Sequence, residues 1–255
     1  GSASIEGALV GVAAAIAGGE IAPMDAAMAA KAAENGFCRV PCGAMDQVAS
    51  ACGREGHAIL LDCRTLAFEA VPFPPAWAIV VADSGVRHSV GAGQRECAEG
   101  MDAARRAFPD ARAARDATME MLEAVRADMP EVSFRRLRHA VTENARTVAA
   151  RDALRSGDAG ALGRLLAGSH ASLAADYEVS CPELDALVEA ASATPGVIGA
   201  RLCGAGFGGN TVNVVEAARA DEVAAGIADR YAAATGRRTA ARVVRPAGGL
   251  SVRRL

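Results

Sequence analysis

The segment Gly204-Ala205-Gly206-Phe207-Gly208-Gly209 constrains this chain more than any other stretch. Four glycines in six positions allow positive φ and close backbone approach. Strand-like runs flank it, Val197 to Leu202 before and Asn210 to Val215 after, so the loop joins two strands. Two readings stay open for it. Successive amide N–H groups in such a loop can form a nest for phosphate, while a tight hairpin turn calls for the same glycines. No lysine follows, so the loop is not a Walker A motif, and without a strand-turn-helix context it is not a Rossmann fingerprint.

Around this loop the pattern alternates between strands and helices. The last third continues with a helix over Ala217 to Thr235 and a strand over Thr239 to Val244. At the other end, Gly1-Ser2-Ala3-Ser4 opens directly into a helix, with Ser2 or Ser4 as its N-cap. A second helix covers about Pro23 to Asn35, and a short third one runs from Met45 to Cys52. His57 to Asp62 and Ala67 to Pro72 read as paired strands, and Trp77 to Ala82 as a buried one. The proline-rich Val71-Pro72-Phe73-Pro74-Pro75 marks a domain junction. From Gly93 to Ala193 the chain is mostly helical, punctuated by Pro109, Pro130, Gly157 and Pro182. This is an α+β design in two lobes, residues 1–75 and 76–255.

Composition excludes several classes. With 51% hydrophobic residues and a net charge of -3, the 255-residue chain can bury a sizeable core and is not disordered. There is no basic footprint for nucleic acid. The apolar run Ala8 to Ala17 is too short to span a bilayer. The seven cysteines are odd in number and lack a C-x-x-C pair, which fits a reducing, cytoplasmic compartment. Their spacing, with His57, matches no common zinc site. Lys31 is the only lysine, so catalysis by a lysine has one candidate.

Three further places carry polar chemistry. In Pro41-Cys42-Gly43-Ala44-Met45-Asp46-Gln47, Asp46 falls in the first turn of a short helix, where the helix dipole favours a carboxylate. Gly43 and Ala44 leave room for a ligand to approach the backbone. Ser2 and Glu34 are hard-oxygen groups of the kind Mg²⁺ takes in phosphoryl-transfer sites, although a surface glutamate is the ordinary reading. His139 lies among Arg135, Arg136 and Arg138, a charged run expected to be a solvated helix face. His88 and His170 read as structural hydrogen-bonding groups.

Taken together, these segments resemble the GHMP small-molecule kinase superfamily, and within it the galactokinase family. Ser2-Ala3-Ser4-Ile5-Glu6 is similar to the tail of its phosphate loop, and Gly43-Ala44-Met45-Asp46-Gln47 to its catalytic-aspartate region. Val86-Arg87-His88-Ser89, Ser169 to Leu173, the run Asp176-Tyr-Glu-Val-Ser-Cys-Pro-Glu-Leu-Asp185 and Gly199 to Gly209 resemble further family stretches. The resemblance implies a two-lobed α+β fold with the site in the cleft between the lobes. It implies ATP-dependent phosphorylation of galactose at its C1 hydroxyl, with ATP and Mg²⁺ as cofactors. Asp46 would meet that hydroxyl, and Ser2 and Glu34 would hold the metal. Gly1, Ser2, Ala3 and Ser4 would line the ATP loop, with Gly204, Ala205, Gly206, Gly208 and Gly209 beside the nucleotide and sugar. Gly43 would offer a backbone contact to the sugar.

The sequence departs from the family in two places. The family's N-terminal segment, with its phosphate-stabilising arginine and sugar clamp, is missing, so these residues alone are expected not to turn over galactose at a normal rate and to self-associate through an unpaired sheet edge. No tyrosine follows Ser89 where the family places one against the sugar. A GHMP kinase for another sugar or small alcohol, or an inactive fragment or non-enzymatic sugar sensor, is the alternative.

Overall fold

The computed structural model describes residues 2–39, 42–87 and 93–253, with residues 93–95 and 97 described by backbone alone. Gly1, Pro41, His88 and Ser89 therefore lie outside the described residues. The chain divides into two compact units, Gly1–Pro74 with Arg245–Leu255, and Pro75–Val244. The end of the chain thus belongs with the first unit, where the sequence had placed it with the second lobe.

In the first unit, α1 (Ser2–Ile16), α2 (Pro23–Gly36) and α3 (Met45–Cys52) pack together, followed by an antiparallel hairpin of β1 (His57–Leu61) and β2 (Phe68–Pro72). Because α1 is helical from Ser2, Ser4 lies inside the helix and does not cap it. Small residues set the helix packing. α1 buries Ala3, Gly7 and Gly11, one turn apart, while α2 buries Ala26, Ala27 and Ala30. Gly11 leaves room for the end of the chain, where a Cβ would lie 3.0 Å from Leu250 and 3.1 Å from Val252. The larger apolar residues of α1, Ile5, Leu9, Val12 and Ile16, stay exposed. The core of the unit is Ala27, Ala44, Val48 and Ala51, with Met24, Met28 and Leu250 against them. Leu250 comes from the end of the chain. That segment runs along the exit of α3: Gly249 N donates to Gly53 O at 2.7 Å, and Leu250 N to Ala51 O at 3.0 Å.

The second unit is built on a four-stranded antiparallel sheet, β3 (Trp77–Arg87), β4 (Val197–Leu202), β5 (Gly208–Glu216) and β6 (Ala241–Val244), ordered β4-β5-β3-β6. β3 outruns its expected end at Ala82. The register shifts between Asp83 and Arg87, and Gly85 sits at φ +74°, so the apolar alternation ends before the strand does. The helices are α4 (Gly93–Ala107), α5 (Met119–Ala124), α6 (Glu131–Ser156), α7 (Ala159–Ala175), α8 (Pro182–Ser192) and α9 (Ala220–Thr235).

Their limits follow the punctuation. Pro130 is the N-cap of α6, Gly157 ends it at φ +67°, and Pro182 takes the first turn of α8. α8 and α9 close the main core with Leu187, Val223, Ile227 and the fully buried Tyr231. The Tyr231 hydroxyl donates to Ser84 O at 2.8 Å, which satisfies the buried phenol. A second core joins α4, α5 and α6 through Leu122, Phe134 and Leu137. A smaller one, Leu173, Val179, Leu184 and Leu202 with Phe207, lies beside the glycine loop. No described helix is long and apolar enough to cross a membrane.

Candidate active site

In the first unit the folding of α1 against α2 brings Ser2 to Glu34, 32 residues away. Ser2 Oγ donates to Glu34 Oε1 at 3.0 Å. Glu34 stands in the last turn of α2, where the helix dipole disfavours a carboxylate. Three donors compensate. Besides Ser2, the buried Gln47 gives its amide to Oε2 at 2.6 Å, and the Cys42 thiol reaches the same oxygen at 3.4 Å. Asn35 fastens the adjoining loop, its Oδ1 accepting from Cys42 N at 2.9 Å.

One turn along α1, Glu6 Oε2 is buried without a partner. Burial, and then the charge of Glu34, push the Glu6 carboxyl above its ordinary range. Burial likewise raises the Cys42 thiol, and its bond to Glu34 adds to the shift. Among the described residues neither Glu6 nor Glu34 forms an ion pair, and no group of three or more His, Cys, Asp or Glu could by itself enclose a metal. The cluster thus offers hard oxygens, surplus negative charge and an orphaned carboxylate oxygen. That donor set suits a Mg²⁺ ion that draws the rest of its shell from phosphate and water. Its chemistry therefore fits the metal.

Asp46 follows in the first turn of α3, exposed and without a partner among the described residues. Its chain neighbour Gln47 points inward to Glu34, so one helical turn presents an exposed carboxylate outward and ties the Ser2–Glu34 cluster inward. Gly43 is also exposed, and a Cβ there would meet nothing within 4 Å. Ala3 and Ser4 lie in the first turn of α1, whose amide groups are of the kind that binds anions. Sequence reasoning missed Gln47 and Glu6. Their only signal was their spacing, next to Asp46 and one turn beyond Ser2.

In the second unit the glycine loop is the turn of the β4–β5 hairpin. Cys203 N donates to Asn210 O at 2.8 Å across its base. Gly204, Gly206, Phe207, Gly208 and Gly209 all have positive φ, between +58° and +111°. The glycines divide into two kinds. A Cβ on Gly206 would lie 2.1 Å from Val179 O, and one on Gly208 2.3 Å from Val86 O, so packing alone requires glycine there. At Gly204 and Gly209 a Cβ would meet nothing within 4 Å, and the backbone faces open space. Those two are free for close approach by a ligand.

The charged run on α6 departs from expectation. Arg136 is only 5% exposed and His139 7%, where a solvated face was expected. Arg136 Nε bonds Glu96 at 2.9 Å, and its two terminal nitrogens take Asp176 O and, at 2.6 Å, Glu178 Oε2. Arg135 pairs with Glu178 and Arg138 with Asp176. His139 Nδ1 lies 3.0 Å from Ser172 Oγ, which donates to Asp176 Oδ2 at 2.9 Å. The arginines thus hold the turn that follows α7, and their partners about 40 residues away could not be read from a local charge pattern. Burial lowers the pKa of both His139 and His170. His170 Nε2 faces Asp185 at 3.3 Å, and its Nδ1 accepts from Leu202 N at 3.4 Å.

Comparison with known proteins places this architecture. The family described as GHMP kinases C terminal matches residues 150–233, which include the glycine loop and the turn held by Arg136. Galactokinase from Roseiflexus sp. (strain RS-1) is 42% identical over 229 residues, 88% of this chain and 59% of its own length. Galactokinase from Bos taurus is 45% identical over 223 residues, 83% of this chain and 56% of its own. Residues 150–233 belong to the GHMP kinase C-terminal family. The chain superposes on Lactococcus lactis galactokinase complexed with galactose with a TM-score of 0.89 and 30% identity, over 97% of this chain and 66% of that one. L. major mevalonate kinase in complex with R-mevalonate shares the fold, at TM-score 0.57 and 19% identity. The fold is thus the α+β GHMP kinase fold, and the chain spans less than two thirds of the length of the relatives named here.

Proposed function

We propose that this chain carries part of the site of an ATP-dependent galactokinase that transfers the γ-phosphoryl group to the C1 hydroxyl of galactose. The supporting observation is its identity of 42–45% to galactokinases over more than four fifths of its length, with the family's acidic and glycine-rich segments present. In this reading Asp46 accepts or orients the proton of the attacking hydroxyl, with its exposed carboxylate free of competing partners among the described residues. Gly43 offers its backbone to the sugar. Ser2 and Glu34 hold Mg²⁺, which when bound neutralises charge on the phosphates. Glu6 adds to the negative field that favours the cation, and Gln47 fixes the orientation of Glu34. In the first unit, Ser2 to Ser4 in the first turn of α1 would offer amide groups to phosphate; in the second unit, the open glycines Gly204 and Gly209 would offer their backbone to the nucleotide. Gly206, Gly208 and Ala205 shape that loop.

Phosphoryl transfer depends mainly on positioning and charge neutralisation, so these groups are of the right kind without a strong nucleophile. The absence of a tyrosine after Ser89 favours one second reading, a GHMP kinase acting on a related sugar. The test is to express the longest chain its gene encodes, add Mg²⁺·ATP and a panel of hexoses and amino sugars, and follow sugar phosphate. Galactose 1-phosphate as the main product is expected. Preference for another sugar would establish the second reading, and no transfer to any sugar would remove both.

A further inference from the structure

Arg136, on α6, holds a turn of chain that packs against the glycine loop. The segment Asp176-Tyr177-Glu178-Val179 leaves α7 with Glu178 at φ +54°, a left-handed conformation that a glutamate adopts only when its surroundings enforce it. Besides the backbone bonds of Tyr177 N to Ser172 O and Val179 N to Leu173 O, at 3.0 Å each, those surroundings are arginines. Arg136 is buried, reaches Glu96 on α4 with Nε, and holds both the carbonyl of Asp176 and the carboxylate of Glu178. Arg135 adds a second bond to Glu178, and Arg138 holds the Asp176 side chain. The next residue, Val179, is buried and accepts from Phe207 N at 2.7 Å. The same carbonyl leaves no room for a Cβ on Gly206. The position of Val179 therefore fixes where the glycine loop runs.

We propose that Arg136 is a positioning residue for the loop Gly204–Gly209, acting through the turn 176–179 and not through contact with substrate. The proposal rests on the reading of that loop as part of the nucleotide and sugar site. Arginine suits the task because one planar fork serves three acceptors in fixed directions, which a lysine ammonium on its flexible stem cannot reproduce. Removing it would leave Glu178 with Arg135 alone and the Asp176 carbonyl without this donor. The left-handed turn would then relax, and with it the partner of Phe207 N.

The experiment is residue-resolved amide hydrogen exchange by NMR on the chain, on Arg136→Gln, Arg136→Lys and Glu178→Gln, with a Mg²⁺·ATP titration of each. In Arg136→Gln the Phe207 amide should exchange about tenfold faster or more, since a hydrogen bond to a charged group is at stake. The Tyr231 and Val80 amides of the main core should keep their rates. Arg136→Lys should fall between the two. If Arg136→Gln fails to fold, Glu178→Gln decides: it keeps a hydrogen-bonding side chain at an exposed position and should raise Phe207 exchange several-fold. Phe207 exchange unchanged in a folded variant, or raised by the same factor as the core, would overturn the positioning role. The titration is judged separately. If Mg²⁺·ATP leaves the loop amides of the unaltered chain unmoved, the reading of the site fails, while the exchange data still decide whether Arg136 places the loop.

Discussion

The Ser2–Glu34 cluster of the first unit and the glycine loop of the second carry their geometry in different materials. In the cluster, side chains do the holding: a hydroxyl, a buried amide and a thiol converge on one carboxylate, and Asp46 stands exposed beside them. In the loop, backbone does it: a carbonyl of Val179 and another of Val86 fill the space where side chains would be. The lesson is that substitutions in the two places should fail differently. A changed side chain in the cluster can remove chemistry and leave the fold. A changed residue at Gly206 or Gly208 must disturb the fold before any ligand is involved.

The largest expected effect sharpens the first half of that contrast. Asp46→Asn, made in a chain competent for transfer, should lower turnover by roughly 10²–10⁴-fold, and its thermal melt should match the parent, because no described residue depends on the Asp46 carboxylate. A parallel loss of melting temperature would show that Asp46 supports α3 instead.

The second effect is in the loop. Gly206→Ala places a methyl 2.1 Å from Val179 O and should cost about 1–3 kcal/mol or more, as overpacking does. Gly204→Ala meets nothing and bears only the left-handed backbone, about 1 kcal/mol. Denaturant unfolding of both variants measures the gap. Equal losses would mean that φ alone governs the loop and that the Val179 contact is soft.

How far the sequence could be read follows the same division. The limits of α3 and β4, and the helix breaks at Pro130, Gly157 and Pro182, were legible because local chemistry sets them. The glycine loop was legible as a turn, but not which of its glycines face protein, since Val86 and Val179 are distant in sequence. The Arg135–His139 run misled for the complementary reason. A charge cluster looks solvated until its counter-charges, Glu96, Asp176 and Glu178, arrive from other elements. The return of Leu250 to the first core carried no local signal either, because a short extended tail has no periodicity.

That buried polar network makes a third prediction, on pH. His139 faces Ser172, Asp176, Glu143, Arg146 and Arg201, and burial holds its folded pKa below the unfolded value. The unfolded chain then binds more protons, so this stability is complete above about pH 6.5 and is lost as pH falls below it. Asp176 shifts down for another reason. Burial opposes its charge, but bonds from Arg138 and Ser172 outweigh burial. Glu178 is lowered by Arg136 and Arg135. Their contribution is lost only below about pH 4. Acid unfolding should therefore show a shallow decline near pH 6 and a steeper one below pH 4. Replacing His139 with Gln should reduce the first, leaving the share that the buried His170 contributes, and spare the second.

The smallest expected effect concerns α1, whose packing inverts the usual order. Ala3, Gly7 and Gly11 face inward, while Ile5 is 65%, Leu9 63% and Ile16 83% exposed. Self-association was expected through an unpaired sheet edge; the structure adds an exposed apolar stripe on a helix of the same unit. Its positions recur at helical spacing, so the stripe is continuous along one side of α1. Because no described residue covers it, Leu9→Gln and Ile16→Gln remove no packing, and folding stability should change by about 0.5 kcal/mol or less. Self-association at high concentration should drop nonetheless, since contiguous apolar surface drives it. Sedimentation velocity beside denaturant unfolding separates the two outcomes. A stability loss well above that figure, with unchanged association, would mean that the stripe is packed within the chain in solution, and that small residues alone do not hold α1 in place.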